Sequence, residues 1–213
     1  MNGLTIAERP RGVLALGAHP DDVEIGCGGT LLRLARQWPG LPVTVVLLTG
    51  SALRQEESRT ACELFLAGCR ADLRTFTLPD GRLPSVWGDV KQHLEDVAAE
   101  IDVDLILAPR ADDAHQDHRT VAEIVPTVWR NHLVLGYEIP KYDGDLGRPS
   151  VYVPLDEEIA RDKVRLLYKA YPSQAGRDWW DEETFLGLAR LRGMECRSRY
   201  AEAFALSKAT LTW

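Results

Sequence analysis

Two short segments carry the side chains best suited to chemistry. The first is Ala18-His19-Pro20-Asp21-Asp22, which runs on to Gly28-Gly29. It offers one imidazole and two carboxylates to one point, a donor set that fits a divalent metal of the zinc class. Adjacent aspartates cannot both point the same way in regular structure, so one can bind metal while its neighbour faces the substrate side. The competing reading is a turn with helix-capping aspartates, which Pro20 also suits. The second segment is Asp112-Asp113-Ala114-His115-Gln116-Asp117-His118. His115 and His118 are three apart, and on a first helical turn such residues share a face. Asp117 can accept a hydrogen bond from a ring N–H and fix its tautomer. Here the competing reading is a pair of solvated loop histidines with capping aspartates. Three of the five histidines fall in these two segments. His93 and His132 have no carboxylate partner in sequence and read as ordinary structural residues.

The segments can meet only if the fold brings them together, and the surrounding pattern predicts that it does. Apolar runs at 12–16, 43–48 and 105–108 read as strands buried on both faces. Residues 73–78 and 133–137 read as further strands, and 30–38, 54–66, 86–101 and 120–128 as helices with one apolar face. Strand and helix in alternation imply βαβ units, hence an α/β fold with a mainly parallel sheet and helices on both faces. Both segments follow a strand and so belong at the carboxyl edge of the sheet, where such folds bind ligands. Past residue 143 the pattern changes to a short strand at 149–154 and helices at 156–168 and 185–192. With no repeat and no linker, residues 1–213 are expected to form one domain, a core at about 10–140 and a C-terminal extension at about 150–213.

The 25 basic and 32 acidic residues give a net charge of −7, which argues against a nucleic-acid partner. Cys27, Cys62, Cys69 and Cys196 contain no Cys-x-x-Cys pair, so neither a Cys-rich zinc site nor a disulfide framework is expected. Residues 1–11 are short and polar, and no apolar run approaches a membrane span. The expectation is a cytoplasmic protein without a membrane span.

Read together, these residues resemble the zinc-dependent N-acetylglucosaminyl deacetylase family, also called LmbE-like or PIG-L. The resemblance covers most of the chain. Besides the two segments it rests on Arg54-Gln55-Glu56-Glu57, on Lys163 through Tyr171-Pro172-Ser173-Gln174, on Arg190-Leu191-Arg192-Gly193, and on Tyr200-Ala201-Glu202-Ala203-Phe204. It implies a Rossmann-like fold and removal of the N-acetyl group from an amino sugar or a small conjugate of one. By motif position it implies His19, Asp22 and His118 as metal ligands and Asp21 as general base. His115 would assist the oxyanion or protonate the leaving amine, Asp117 would orient a histidine, and Arg54 would contact sugar hydroxyls. Some relatives carry a tyrosine two residues before the first histidine of the second segment, where Asp113 stands here. The resemblance also implies homo-oligomers.

The chemistry is self-consistent. A divalent metal polarises an amide carbonyl and lowers the pKa of bound water towards ~7. Three protein ligands leave a position open for that water. Zn2+ is the expected cofactor, and a His2Asp site also accepts Fe2+ and Co2+. A protonated His115 would serve as oxyanion donor. Two alternatives stay open: hydrolysis of another amide or an ester at the same metal, and a non-catalytic nucleotide- or sugar-nucleotide-binding domain. A serine hydrolase is disfavoured because no Gly-x-Ser-x-Gly occurs.

Several other features admit milder readings. Gly26-Cys27-Gly28-Gly29 reads as close loop–helix packing, with Cys27 a buried small residue. Trp87, Trp179 and Trp180 suit either a sugar face or the core. Asp143 to Asp145 reads as a solvated loop. Tyr137-Glu138 is a candidate for the pocket, and 80–89 and 138–150 are candidates for its walls.

Overall fold

The computed structural model describes Ile6 and residues 8–210; residues 1–5 and 7, part of the polar N-terminal segment, and 211–213 lie outside the described residues. The chain runs β1 (Val13–Gly17), α1 (Asp22–Gln37), β2 (Pro42–Leu47), α2 (Ala52–Phe65), β3 (Arg70–Thr75), α3 (Trp87–Glu100), β4 (Leu105–Pro109), α4 (Gln116–Val128) and β5 (Leu133–Tyr137). It continues through β6 (Val151–Leu155), α5 (Glu157–Ala170), α6 (Glu182–Glu195) and β7 (Tyr200–Leu206). The seven strands form one sheet in the order β3-β2-β1-β4-β5-β7-β6. The first five are parallel, and β7 pairs antiparallel with both β5 and β6.

Period-two alternation explains the two-sided core. Val13 and Ala15 of β1 join one apolar cluster, with residues of α1, α2, α5 and α6. Leu14 and Leu16 point the other way into a second cluster with α3 and α4. A strand apolar at every position is what a sheet covered on both faces requires. The expected α/β sheet with helices on both faces is therefore present, and the reversal of strand direction is confined to the C-terminal edge.

Several boundaries differ from expectation, each for a physical reason. α1 opens at Asp22, not 30, and α4 at Gln116, not 120. In α4 the polar first turn carries the site and so lacks an apolar stripe; in α1 the Gly26-Cys27-Gly28-Gly29 run interrupts the pattern after the first turn. β3 starts at Arg70 because its register follows β2, Pro42 opposite Arg70, not its own alternation. β7 went unread as a strand because small and charged residues break its apolar run.

The segment Gly26–Gly29 is helical, not a loop, and α1 kinks at Cys27, where φ is −144°. Close packing there is real. A Cβ on Gly26 would stand 2.2 Å from the Tyr137 ring. The kink leaves backbone groups without helical partners, and a buried ion pair takes them up. Glu202 accepts the Gly29 and Thr30 N–H groups at 2.8 and 2.6 Å. Lys163 donates to the Ile25 carbonyl and to Glu202, both at 2.6 Å. Cys27 is buried and donates to the Val23 carbonyl, and burial pushes its thiol well above the usual range.

Candidate functional site

β1 and β4 are neighbours, so the loops that follow them meet at the carboxyl edge of the sheet. The β1 loop is tied to the chain after β2 by the Leu48 and Thr49 N–H groups, which donate to the Gly17 and Ala18 carbonyls. It then turns through Asp21 at φ +89°, a left-handed conformation for a residue with a Cβ. Such geometry costs about 1–3 kcal/mol and persists only where its surroundings impose it. The turn separates the two aspartates. Asp22 faces the imidazoles, while Asp21 faces α2, where Arg54 donates to it at 2.5 Å.

Three donor atoms converge. His19 Nδ1 lies 3.2 Å from His118 Nε2 and 3.4 Å from Asp22 Oδ2. His118 Nε2 lies 3.2 Å from Asp22 Oδ2. A tetrahedral ion with ligands at about 2.0–2.1 Å needs donor atoms about 3.3–3.4 Å apart, so the triangle has the right size. Two looser sets share His19, one with His115 and His118, the other with Asp80 and Asp117. The first triangle is tighter and more buried, with Asp22 and His118 buried and His19 half-buried, whereas Asp80 is 75% exposed.

Each imidazole of the triangle has a carboxylate on its other nitrogen. His19 Nε2 is 3.2 Å from Asp117 Oδ2. His118 Nδ1 is 3.2 Å from Asp113 Oδ2, close but off the line of a well-aligned hydrogen bond. That arrangement fixes ring orientation and tautomer in metal-binding histidines. Asp117 also accepts the Gly81 and Leu83 N–H groups at 2.7 and 3.0 Å, which fastens the loop after β3 to the site.

The charges fit a cation. Burial alone would lower the imidazoles, yet Asp22, Asp117 and Asp80 lift His19 to about 12, and Asp22 and Asp113 lift His118 to about 9. Burial pushes the Asp22 carboxyl up, but the facing His118 and His19 outweigh it and hold it well below the usual range. Burial raises Asp21 to about 7 against the pull of Arg54.

His115 caps the start of α4. Its Nδ1 accepts the Asp117 N–H at 3.2 Å, which assigns the proton to Nε2 and leaves that nitrogen available to the cleft. Burial, then His118 and His19, lower its pKa. With Nδ1 used as an acceptor, Nε2 is the nitrogen of His115 that can donate towards the cleft.

Arg54 is held tightly. It donates to Asp21, to the Pro20 carbonyl at 2.8 Å, to Glu57 at 2.7 Å and to Ser173 at 3.1 Å. Glu57 in turn accepts the Ser173 N–H and hydroxyl, each at 2.7 Å. This explains why the Arg-x-x-Glu and Ser-Gln segments sit so far apart in sequence and together in space.

These groups line a cleft of about 470 Å³, within the range of small-molecule sites. The opposite wall is Ile139 to Tyr142 with Gln174, Arg177 and Trp179. Some expectations for this wall need correction. Tyr137 is fully buried with its hydroxyl on the Leu16 carbonyl, and Glu138 is committed to Arg192 at 2.7 Å. Of 80–89, only Asp80 lines the cleft. Trp180 packs in the core against Tyr171 and Phe185, and Trp87 packs against the second apolar cluster. Asp143 and Gly144 are exposed as expected, whereas Asp145 is half-buried: it pairs with Lys141 at 2.8 Å and accepts the Ala114 N–H at 2.7 Å. Lys141 and Asp113 were not singled out as site residues. The signal for Asp113 was its position two residues ahead of His115; Lys141 gave none. His93 lies away from the cleft, stacked on Phe76.

A Rossmann-like sheet with a carboxylate-backed histidine pair at its carboxyl edge defines a class of α/β proteins with a metal-competent site. Residues 14–129, more than half of the chain, match the family described as PIG-L, GlcNAc-PI de-N-acetylase. An uncharacterized deacetylase of Escherichia coli (strain K12), YaiS, is 31% identical over 179 residues, covering 78% of this chain and 94% of that one. The chain therefore belongs to the PIG-L family, a family of deacetylases.

Among solved structures, the N,N'-diacetylchitobiose deacetylase of Pyrococcus horikoshii aligns with a TM-score of 0.70 at 21% identity, covering 92% of this chain and 84% of that one. GalB, the 4-carboxy-2-hydroxymuconate hydratase of Pseudomonas putida KT2440, aligns with a TM-score of 0.76 at 18% identity, covering 95% and 98%. At these identities the likeness establishes the fold alone, and the second neighbour shows that the fold hosts other reactions. No helix among the described residues is long and apolar enough to cross a membrane.

Proposed function

We propose that the protein removes the N-acetyl group from a small N-acetylated amino sugar or amino-sugar conjugate, as a single domain acting with a divalent metal. The observation that carries this reading is the triangle of His19 Nδ1, Asp22 Oδ2 and His118 Nε2, with Asp21 beside it in the same cleft. Those three residues would hold the ion, Zn2+ in the first instance. When bound, it would supply Lewis acidity, polarising the acetyl carbonyl and acidifying water.

The chain's own groups do the rest. Asp21 takes the proton from the attacking water, and Arg54 holds that carboxylate in place. His115 donates its Nε2–H to the carbonyl oxygen as negative charge develops there. The carbon–nitrogen bond breaks, acetate forms, and the amine leaves with a proton returned by Asp21. Asp117 keeps the His19 ring in orientation. The substrate preference draws support from family membership and from the name of the chitobiose-deacetylase neighbour. Arg54 is committed to Asp21 and Glu57, so its contribution to sugar binding is secondary to positioning.

The test is acetate release from a panel of soluble N-acetylated amino sugars and glycosides. The same panel is run after chelation and after zinc is restored. Activity lost with the metal and regained with it supports the reading. Activity indifferent to chelation overturns it. Release from acetate esters or simple amides, with none from sugars, moves the reading to another amide or ester at the same site.

A further inference from the structure

Lys141 sits between the cleft-lining residues Pro140 and Tyr142. Its ammonium donates to Asp113 Oδ2 at 2.9 Å and to the Ile139 carbonyl at 3.3 Å, and it pairs with Asp145 Oδ2 at 2.8 Å. Its charge is shared between two carboxylates. A cation at the wall of a cleft, paired with two carboxylates, acts first on those neighbours.

Asp113 is the neighbour that reaches the site. It is 1% exposed. Its Oδ1 accepts the His115 backbone N–H at 2.8 Å, and its Oδ2 stands 3.2 Å from His118 Nδ1. One carboxylate thus holds the backbone of one histidine of the second segment and stands against the ring of the other. Among the described residues, Lys141 is the only lysine or arginine paired with it. The segment that carries Lys141 is itself fastened to the sheet edge. Arg110 donates to the Asp145 carbonyl, and Arg192 donates to the Gly147 carbonyl at 3.1 Å. Lys141 is the joint between that braced wall and the histidine loop.

We propose that Lys141 is a positioning residue: acting through Asp113, it fixes the orientation of His118 and His115 and thereby sets the metal affinity of the site. This rests on the reading of His118 as a metal ligand. Without Lys141, Asp113 is a buried carboxylate short of compensating charge, which must move or draw in water. Each of these loosens its hold on His118. Lesions in the partners of metal ligands cost about 10–100-fold in affinity.

The test is a double-mutant cycle read by zinc affinity, measured by chelator competition on wild type, Lys141→Met, Asp113→Asn and the double variant. The visible spectrum of the Co2+-loaded proteins reports ligand geometry, and thermal unfolding confirms the fold of each. Lys141→Gln carries the same prediction should Lys141→Met not fold. Zinc binding should weaken about 10–100-fold in Lys141→Met. In the Asp113→Asn background the same substitution should add no more than about twofold. Lys141→Arg should recover much of the affinity, with a wild-type-like cobalt spectrum. Unchanged affinity in folded Lys141 variants overturns the proposal. So does a full loss that persists in the Asp113→Asn background, because Lys141 would then act by another route. A wild-type chain that binds no divalent ion refutes the functional reading itself and this inference with it, whereas wild-type binding with indifferent Lys141 variants refutes this inference alone.

Discussion

At the scale of single residues, the site divides one task among similar groups by what each one touches. Asp21 and Asp22 are neighbours of the same type, yet the left-handed turn at Asp21 sends one to Arg54 and the other to two imidazoles. His115 differs from His118 in the same way. Its Nδ1 is spent on a backbone N–H, so it is a donor towards the cleft and not a member of the tight triangle. His115→Ala should therefore lower kcat by about 10²–10³-fold, the usual effect of removing one oxyanion donor, with zinc stoichiometry intact. Loss of zinc in that variant would instead make His115 a ligand. Asp117→Asn keeps the shape but weakens the acceptor for His19 and for the loop after β3. Zinc affinity should fall about 10–100-fold, measurable by chelator competition; unchanged affinity would remove Asp117 from the orienting role.

At the scale of elements, the kinked α1 is the piece on which the site depends. It begins at Asp22 and is braced at Cys27 by Lys163 and Glu202 from α5 and β7, which lie far along the chain. Removing one partner of a buried pair leaves an uncompensated charge and costs about 3–5 kcal/mol. Glu202→Gln or Lys163→Met should lower stability by that amount in urea unfolding, and a cost near zero would contradict the brace. Gly26→Ala should also destabilise, by about 1–3 kcal/mol, because the new methyl meets the Tyr137 ring. These elements were unevenly legible in sequence. The three central strands β1, β2 and β4 announce themselves because burial on both faces leaves a nearly unbroken apolar run, whereas the half-exposed β3 shows only partial alternation. The start of α4 does not announce itself, since site residues occupy the positions where an apolar stripe would begin, and the start of α1 is hidden by the glycine-rich run at 26–29. β7 hides for a related reason: Glu202 faces inward to serve the kink, so its strand carries a buried charge where alternation predicts an apolar residue. Lys141 and Asp145 were illegible because their roles are set by long-range pairing, and in sequence a short charged stretch looks solvated.

At the scale of the whole molecule, parallel strand order brings the loops after β1 and β4 side by side, and the C-terminal elements close the cleft from the other direction through Gln174, Arg177 and Trp179. An ion held only by the folded chain stabilises it by mass action. Zinc should therefore raise the unfolding temperature of wild type in proportion to occupancy and leave His118→Ala unmoved; an equal shift in both would place the ion elsewhere. The central claim is that hydrolysis needs the metal triangle and the Asp21 carboxylate as separate functions. Its most direct test compares wild type and Asp21→Asn, each with measured zinc content, for acetate release from an N-acetylated amino sugar that wild type turns over. The account predicts equal zinc content and a rate about 10²–10⁴-fold lower in the variant, the range for loss of a general base. Equal rates at equal zinc content would contradict it.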